Sequence, residues 1–209
     1  MRLAIFGGSG RTGLHLVEQA LADGHDLTVL VRDPVKLTRH DPRLKVLAGN
    51  VQDGARVAET LHGAEAVLSV LGPARNEPVY EISAGMRPVL AAMPPPGVRR
   101  LIVSIGAGVA DSNDTPGAFD HLMNFLVQRL ARYVYADMLQ VDGLVRTSGL
   151  DWTIVRVPRL PDGPHASQAK VGYVGQGVGA RLSRADLADF MLRQLADKTY
   201  QQKAPAISN

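Results

Sequence analysis

The residues whose types and spacing point most directly to chemistry lie near the N-terminus, in Gly7-Gly8-Ser9-Gly10-Arg11-Thr12-Gly13. The run follows a short apolar stretch, Leu3-Ala4-Ile5-Phe6, and opens a segment with helical periodicity. That is the context a dinucleotide fingerprint requires. One glycine permits a tight turn, one lets a pyrophosphate approach the backbone, and one lets helix and strand pack closely. The free N–H groups of the helix then face the phosphates. The spacing reads as GxGxxG from Gly8 or as GxxGxxG from Gly7. About 20 residues further on, an acidic residue would hold the ribose of NAD, whereas an arginine accommodates the 2′-phosphate of NADP. Here the second apolar run ends Leu30-Val31-Arg32-Asp33-Pro34. Arg32 takes the acidic residue's place, with Arg11 expected beside it, and a guanidinium fork suits a phosphate. The competing reading leaves Arg32 solvated and gives the ribose to Asp33. NADP is favoured over NAD.

The elements that must position these groups alternate. Strands are expected at Leu3–Phe6, Leu27–Val31, Leu44–Ala48, Ala66–Leu71, Leu101–Ile105, Trp152–Val157 and, in short form, Val171–Val174, with an edge strand at Ala204–Ile207. Helical periodicity runs over Thr12–Ala22, Arg56–Leu61, Ser83–Met93, Phe119–Thr147 and Arg184–Leu195. Pro88 predicts a kink or a late start in the third of these, and Pro94-Pro95-Pro96-Gly97 a hard stop after it. Strands alternating with helices imply right-handed crossovers. The fold class is therefore α/β, a single Rossmann-type doubly wound, mostly parallel sheet with helices on both faces. One domain is expected over residues 1–209. Loops near 106–117 and 159–180 fall where lids over a ligand would lie.

Composition narrows the function classes. The 209 residues carry no cysteine, which excludes a disulfide scaffold, a thiol nucleophile and cysteine-ligated metal. Hydrophobic residues make up 45% and charged residues 21%, values typical of a soluble globular chain. No run approaches the ~18–20 apolar residues of a membrane span, and no signal peptide is expected. The net charge of +3 comes from scattered Lys and Arg, without the clustering of a nucleic-acid binder. The expectation is a cytoplasmic protein with no nucleic-acid or membrane partner, as a monomer or homodimer. The histidines at 15, 25, 40, 62, 121 and 165 are dispersed, with no metal spacing, and no GxSxG nucleophile turn occurs.

The loop motif and Thr28-Val29-Leu30-Val31-Arg32-Asp33-Pro34 together resemble the atypical short-chain dehydrogenases with an NAD(P)-binding domain, and among them the flavin reductase/biliverdin reductase B group. Ala48-Gly49-Asn50-Val51, Val70-Leu71-Gly72, Ser148-Gly149-Leu150-Asp151-Trp152-Thr153 and Ser183-Arg184-Ala185-Asp186-Leu187-Ala188 extend the likeness over nearly the whole chain. The resemblance implies coenzyme contacts at Gly7, Ser9, Gly10, Arg11, Thr12 and Gly13, with Asn50 and Val51 beside the adenine and Leu71 and Gly72 along the coenzyme. It also implies Ser104 near the nicotinamide and Pro158, with Arg159, on the loop over it. Two positions depart from the family pattern: Asn50 replaces an aspartate, and Arg159 or a neighbour stands where the flavin reductases carry a histidine.

Ordinary short-chain dehydrogenases use Tyr-x-x-x-Lys as their acid. Tyr133 and Tyr135 are followed four residues on by Asp137 and Leu139, and Met138 takes a position where relatives often have lysine. Ser104 is then the one polar candidate near the reactive ring, and Arg75 offers a cation to a phosphate or an acidic substrate. So sparse a site suits acceptors that spread charge by conjugation: flavins, quinones or linear tetrapyrroles. The expected function is NADPH-dependent reduction of such a small molecule. The alternative is an NADP-binding sensor that turns nothing over.

Overall fold

The computed structural model describes residues 1–73, 75–93, 97–163, 165–166 and 169–209. In chain order the elements are β1 (Arg2–Phe6), α1 (Arg11–Ala22), β2 (Asp26–Val31), a 3-10 turn (Pro34–Lys36), β3 (Leu44–Ala48), α2 (Gly54–Leu61), β4 (Ala66–Ser69), α3 (Glu81–Ala92), β5 (Arg100–Gly106), α4 (Ala118–Leu130), α5 (Arg132–Arg146), β6 (Asp151–Val157), β7 (Lys170–Gly172), α6 (Arg184–Arg193) and β8 (Ala206–Ser208). The Pro94-Pro95-Pro96 stop lies outside the described residues.

The eight strands form one sheet in the order β3-β2-β1-β4-β5-β6-β8-β7. Every pairing is parallel except that of β7 with β8. This is the doubly wound α/β sheet expected from the alternation of strand and helix. The chain winds outward from β1 in one direction to β3 and in the other from β4, so a crevice opens past the carboxyl ends of β1 and β4.

Helices on both faces account for the unbroken apolar runs. Within β1, Ala4 and Phe6 enter one core with Met86, Val89 and Trp152, whereas Leu3 and Ile5 enter the other with Leu16, Leu187 and Met191. α3 packs on α5 on one side of the sheet, and α1 on α6 on the other.

Three expectations change. The long helix over 119–147 is two helices, broken at Ala131, where φ is −125° and ψ 40°. Asn76 stabilises the break: its Nδ2 donates to Leu130 O at 2.8 Å, and its Oδ1 accepts from the N–H groups of Tyr133 and Val134 at 3.2 and 3.3 Å. α3 starts earlier than expected, at Glu81, and continues through Pro88. Its first turn is capped from outside, by the buried Asp137 carboxylate accepting from Ile82 N and Ser83 N, both at 2.9 Å. The C-terminal strand is interior, between β6 and β7, and β7 forms the edge.

The loop after β5 is held by charge. Arg156, in the middle of β6, is fully buried. Its Nη1 and Nη2 donate to the two Asp114 carboxylate oxygens at 2.7 and 2.6 Å, its Nε to Ala204 O at 2.8 Å, and Nη1 also to Val109 O at 3.0 Å. Asp114 accepts further from Asp111 N and Val174 N. One ion pair thus joins β6, the approach to β8 and both loops that border the sheet's carboxyl edge. Removing one partner of a buried pair leaves an uncompensated charge and costs about 3–5 kcal/mol. Asp114→Ala is expected to lower the unfolding free energy by that amount in urea denaturation. A loss of less than about 1 kcal/mol would mean that the pair does not hold these loops.

Candidate functional site: a dinucleotide cleft

The loop between β1 and α1 has room for no side chains at three of its positions. Gly7 adopts φ +85°, and a Cβ there would lie 2.8 Å from Val70 C and O. At Gly8 it would lie 2.3 Å from Val29 Cγ1. At Gly13 it would lie 2.2 Å from Gly7 O. The turn is closed by Gly10 N–H donating to Gly7 O at 3.0 Å. Gly7 makes the tight turn and Gly13 allows the close helix contact, so the spacing that matters is GxxGxxG from Gly7. Gly10 is the N-cap of α1 without a side-chain cap, and the first turn of the helix holds no acid. Its backbone N–H groups therefore suit an anion such as a pyrophosphate.

Past this turn lies a cleft of about 300 Å³. Gly7, Ser9 and Gly10 form its floor, Asn50 and Val51 one wall, and Leu71 and Gly72 another. These seven expected contacts come together. Asn50 Oδ1 accepts from Gln52 N at 3.0 Å, which holds the loop after β3 in a turn. Val51 packs on Gly85 of α3, where a Cβ would lie 2.5 Å from Val51 Cγ1.

Arg32 lies at the mouth of the cleft and also lines an adjoining hollow of about 290 Å³, which it shares with Arg75, Tyr80 and Tyr133. It is exposed and, among the described residues, forms no ion pair or side-chain hydrogen bond. Asp33 is engaged differently: its carboxylate accepts from Val35 N at 3.2 Å, capping the 3-10 turn, and faces Lys36 Nζ at 3.9 Å. The cation at the end of β2 is thus the uncommitted group. Arg75 is largely exposed, with Glu77 3.7 Å away.

Three expected contacts take other positions. Arg11 does not join Arg32; its guanidinium pairs with Asp162, which also accepts from Arg184 Nε at 3.0 Å. The hydrogen bond from Arg11 holds the Asp162 carboxyl below the usual carboxylate range. Thr12 is buried, its hydroxyl accepting from Arg184 Nη1 at 3.2 Å, and Gly13 lies beneath Gly7. These residues build the loop and tie it to the segment after β6 instead of lining the cleft.

Ser104 sits on β5 opposite Val155 of β6, outside the two hollows. It is half-buried and its hydroxyl has no partner among the described residues. Pro158 directly follows β6, on the same edge of the sheet. Met138 rests its sulfur on the end of β5, with Gly106 N–H directed to Sδ at 3.2 Å. Tyr133 O–H is contacted by the Arg132 guanidinium, and Tyr135 O–H by Gln128 Nε2 at 3.3 Å. Sequence reasoning passed over Lys36 and Gln52, which line the cleft, and Asp162, which anchors Arg11. Lys36 had a readable signal, a second cation four residues after Arg32. Asp162 had none, being 151 residues from its partner. Among the described residues no group of three or more His, Asp or Glu side chains gathers as metal ligands.

A doubly wound sheet, a glycine turn that side chains would block and a cleft at the reversal of strand order define a Rossmann-type dinucleotide-binding domain. The chain belongs to the NAD(P)H-binding family, which matches residues 7–198. It is similar to a short-chain dehydrogenase/reductase from Veillonella parvula in complex with NADP, with a TM-score of 0.82, 21% identity and coverage of 100% of this chain and 94% of that one. It is also similar to ChuY, an anaerobillin reductase from Escherichia coli O157:H7, with a TM-score of 0.78, 21% identity and coverage of 100% and 97%. A curated relative, the uncharacterised protein YwnB of Bacillus subtilis, is 29% identical over 108 residues, a stretch covering 52% of this chain and 48% of that protein. The chain thus spans about half the length of that relative. Among the described residues no helix is long and apolar enough to cross a membrane.

The turn supplies its own test. Gly13→Ala drives a methyl group into Gly7 O, so coenzyme affinity should fall at least tenfold and stability by about 1–3 kcal/mol. Calorimetric titration and thermal melting of the variant check this. Unchanged affinity would show that the loop tolerates displacement and that its close packing does not shape the site.

Proposed function

We propose that this chain is an NADPH-dependent reductase that passes a hydride to a conjugated small molecule such as a flavin, a quinone or a linear tetrapyrrole. The observation that carries the reading is Arg32: an arginine that, among the described residues, forms no ion pair, at the end of β2, where a coenzyme's ribose would be held. Arg75, across the adjoining hollow, adds a second cation on the same side. Bound in the cleft, the coenzyme supplies the hydride chemistry. The chain's own residues hold and orient it. Gly7, Ser9 and Gly10 with the N-terminus of α1 receive the pyrophosphate, Asn50 and Val51 border the adenine, and Leu71 and Gly72 flank the path toward Ser104 and Pro158.

Support for a conjugated acceptor comes from what surrounds that path. A thioether, Met138, occupies the end of β5, and both tyrosine hydroxyls of α5 are in contact with neighbouring side chains. Ser104 can orient a carboxamide or donate to a substrate oxygen, but it is a weak acid. An acceptor that delocalises the incoming charge and takes its proton from water needs no stronger one. The segment 106–117, fixed through Asp114, and the described residues just after β6 follow the strand ends that border this region, and we assign them as its cover. The cysteine-free, single-domain chain makes no demand on an oxidising compartment, which suits a cytoplasmic enzyme. The two solved neighbours, one in complex with NADP and one named a reductase, agree with this reading.

The test is NADPH oxidation by the purified protein with FMN, FAD, quinone and biliverdin as acceptors. Acceptor-dependent turnover supports the reductase. NADPH binding without turnover on any acceptor would favour a sensor, a reading the lone Ser104 also fits. Charge-assisted hydrogen bonds contribute about 1.5–3 kcal/mol, so Arg32→Glu should weaken NADPH at least tenfold while NADH changes little. Equal losses for the two coenzymes would remove Arg32 from the 2′-phosphate. Ser104→Ala should retain measurable turnover, with a loss of less than about 100-fold, since general acids contribute 10²–10⁴-fold where they are required. A larger loss at unchanged NADPH affinity would make Ser104 the proton donor.

A further inference from the structure

Helix α4 faces the wrong way for a monomer. None of its 13 residues is buried, and the side that touches the rest of the chain is largely polar. Asn124 Oδ1 is shut off from solvent against Gly108, and Gln128 reaches Tyr135, with Val127 beside them. The opposite side carries Phe119, Met123, Leu126 and Leu130 at the 4-3-4 spacing of a core-facing stripe, with Leu122 and Phe125 next to it. Instead of facing a core, this stripe faces solvent: Phe119 is 66% exposed, Phe125 53% and Leu130 75%.

We infer that this stripe is the contact between two copies of the chain, packed with their α4 helices antiparallel about a two-fold axis. The exposed apolar side chains offer on the order of 600 Å² per chain, given the 150–250 Å² an aromatic side chain can bury. A standard interface takes about 800 Å² from each partner, so the stripe supplies about three quarters of that area and the polar flanks of α4 have to supply the rest. An isologous contact also needs a self-complementary surface. Turned antiparallel, the stripe sets Phe119 toward the partner's end of the helix at Leu130, with Met123 and Leu126 near the axis. The two helix dipoles are then opposed. A bilayer fits less well, because the flanks carry Asp120 and Arg129, of opposite sign, in place of the cationic rim of a surface-bound helix. Arg129 moreover lies over Phe125, 5.3 Å from the ring centre. A small acceptor is too short for a stripe of about 20 Å, the length of a helix of this size.

The test is sedimentation of the full chain with and without NADPH, over a hundredfold range of concentration. The wild-type chain is expected at twice the mass of one chain. Leu126→Glu is expected at the monomer mass, with NADPH affinity within twofold of wild type. A wild-type protein that stays monomeric at every concentration overturns the inference, and so does a Leu126→Glu variant that remains dimeric. A monomer that floats with anionic vesicles would assign the stripe to a membrane surface and equally overturn it. If Leu126→Glu does not fold, the absence of native cysteine allows a second measurement. A single cysteine in Leu126→Cys should cross-link two chains on mild oxidation, whereas Glu18→Cys on the exposed side of α1 should not. Equal cross-linking at both positions contradicts an α4 interface.

Discussion

Helix α1 can begin against the end of β1 only because residues 7, 8 and 13 carry no side chains. The Gly7 carbonyl occupies the space a Cβ at residue 13 would fill, and the backbone after β4 leaves no room for a Cβ at Gly7. Strand, turn, helix and the neighbouring strand are therefore locked at backbone level. The N-terminal end of the helix lies at the sheet's carboxyl edge as a consequence. With that geometry set, Asn50 and Val51 just past β3, and Leu71 and Gly72 just past β4, form the cleft walls, because the parallel pairings of β1 with β2 and β4 and of β2 with β3 bring those strand ends level.

A second constraint operates on the other half of the sheet. The loops after β5 and β7 would otherwise be long and weakly held. The buried Arg156–Asp114 pair joins them to each other and to the approach to β8, and Thr115 N–H donates to Val174 O at 2.9 Å beside it. The coenzyme half is thus organised by the absence of side chains, and the half expected to meet the acceptor by one desolvated ion pair. Between them stands a region poor in acids, where Met138 and Ser104 sit near the end of β5. The asymmetry is one of means: close backbone packing shapes the coenzyme side, and a buried ion pair fixes the loops on the other.

The coenzyme half was legible in the sequence because its signals are local. Glycines at fixed offsets between an apolar run and a helical period have one economical explanation, and Arg32 is one residue past a run that forms β2. β1 reads as buried because alternate residues serve two cores, so no polar face interrupts it. What was not legible depends on partners far apart in the chain. Nothing near Arg156 says that a charge in DWTIVRV will be buried, since Asp114 lies 42 residues away. Asp137 is met in the sequence only as the residue that stands where a lysine would follow Tyr133, yet it caps α3 from across an interface. The break at Ala131 is invisible without Asn76, and the pairing that draws Arg11 away from Arg32 is equally hidden because its partner, Asp162, lies 151 residues on. α4 is the opposite case: its apolar spacing is strong, yet the surface that spacing marks is not within the chain's own core.

The measurement that tests the central claim most directly is the pH dependence of NADPH oxidation at saturating acceptor, for wild type and for Tyr133→Phe and Tyr135→Phe. An acceptor without an ionisation of its own between about pH 6 and 9 isolates the protein's contribution. If the chain orients the coenzyme and leaves the proton to water, the profile is free of an ionisation belonging to either tyrosine, and both variants follow wild type. A limb in the wild-type profile that disappears in one of these variants would contradict the account and identify that hydroxyl as the catalytic acid.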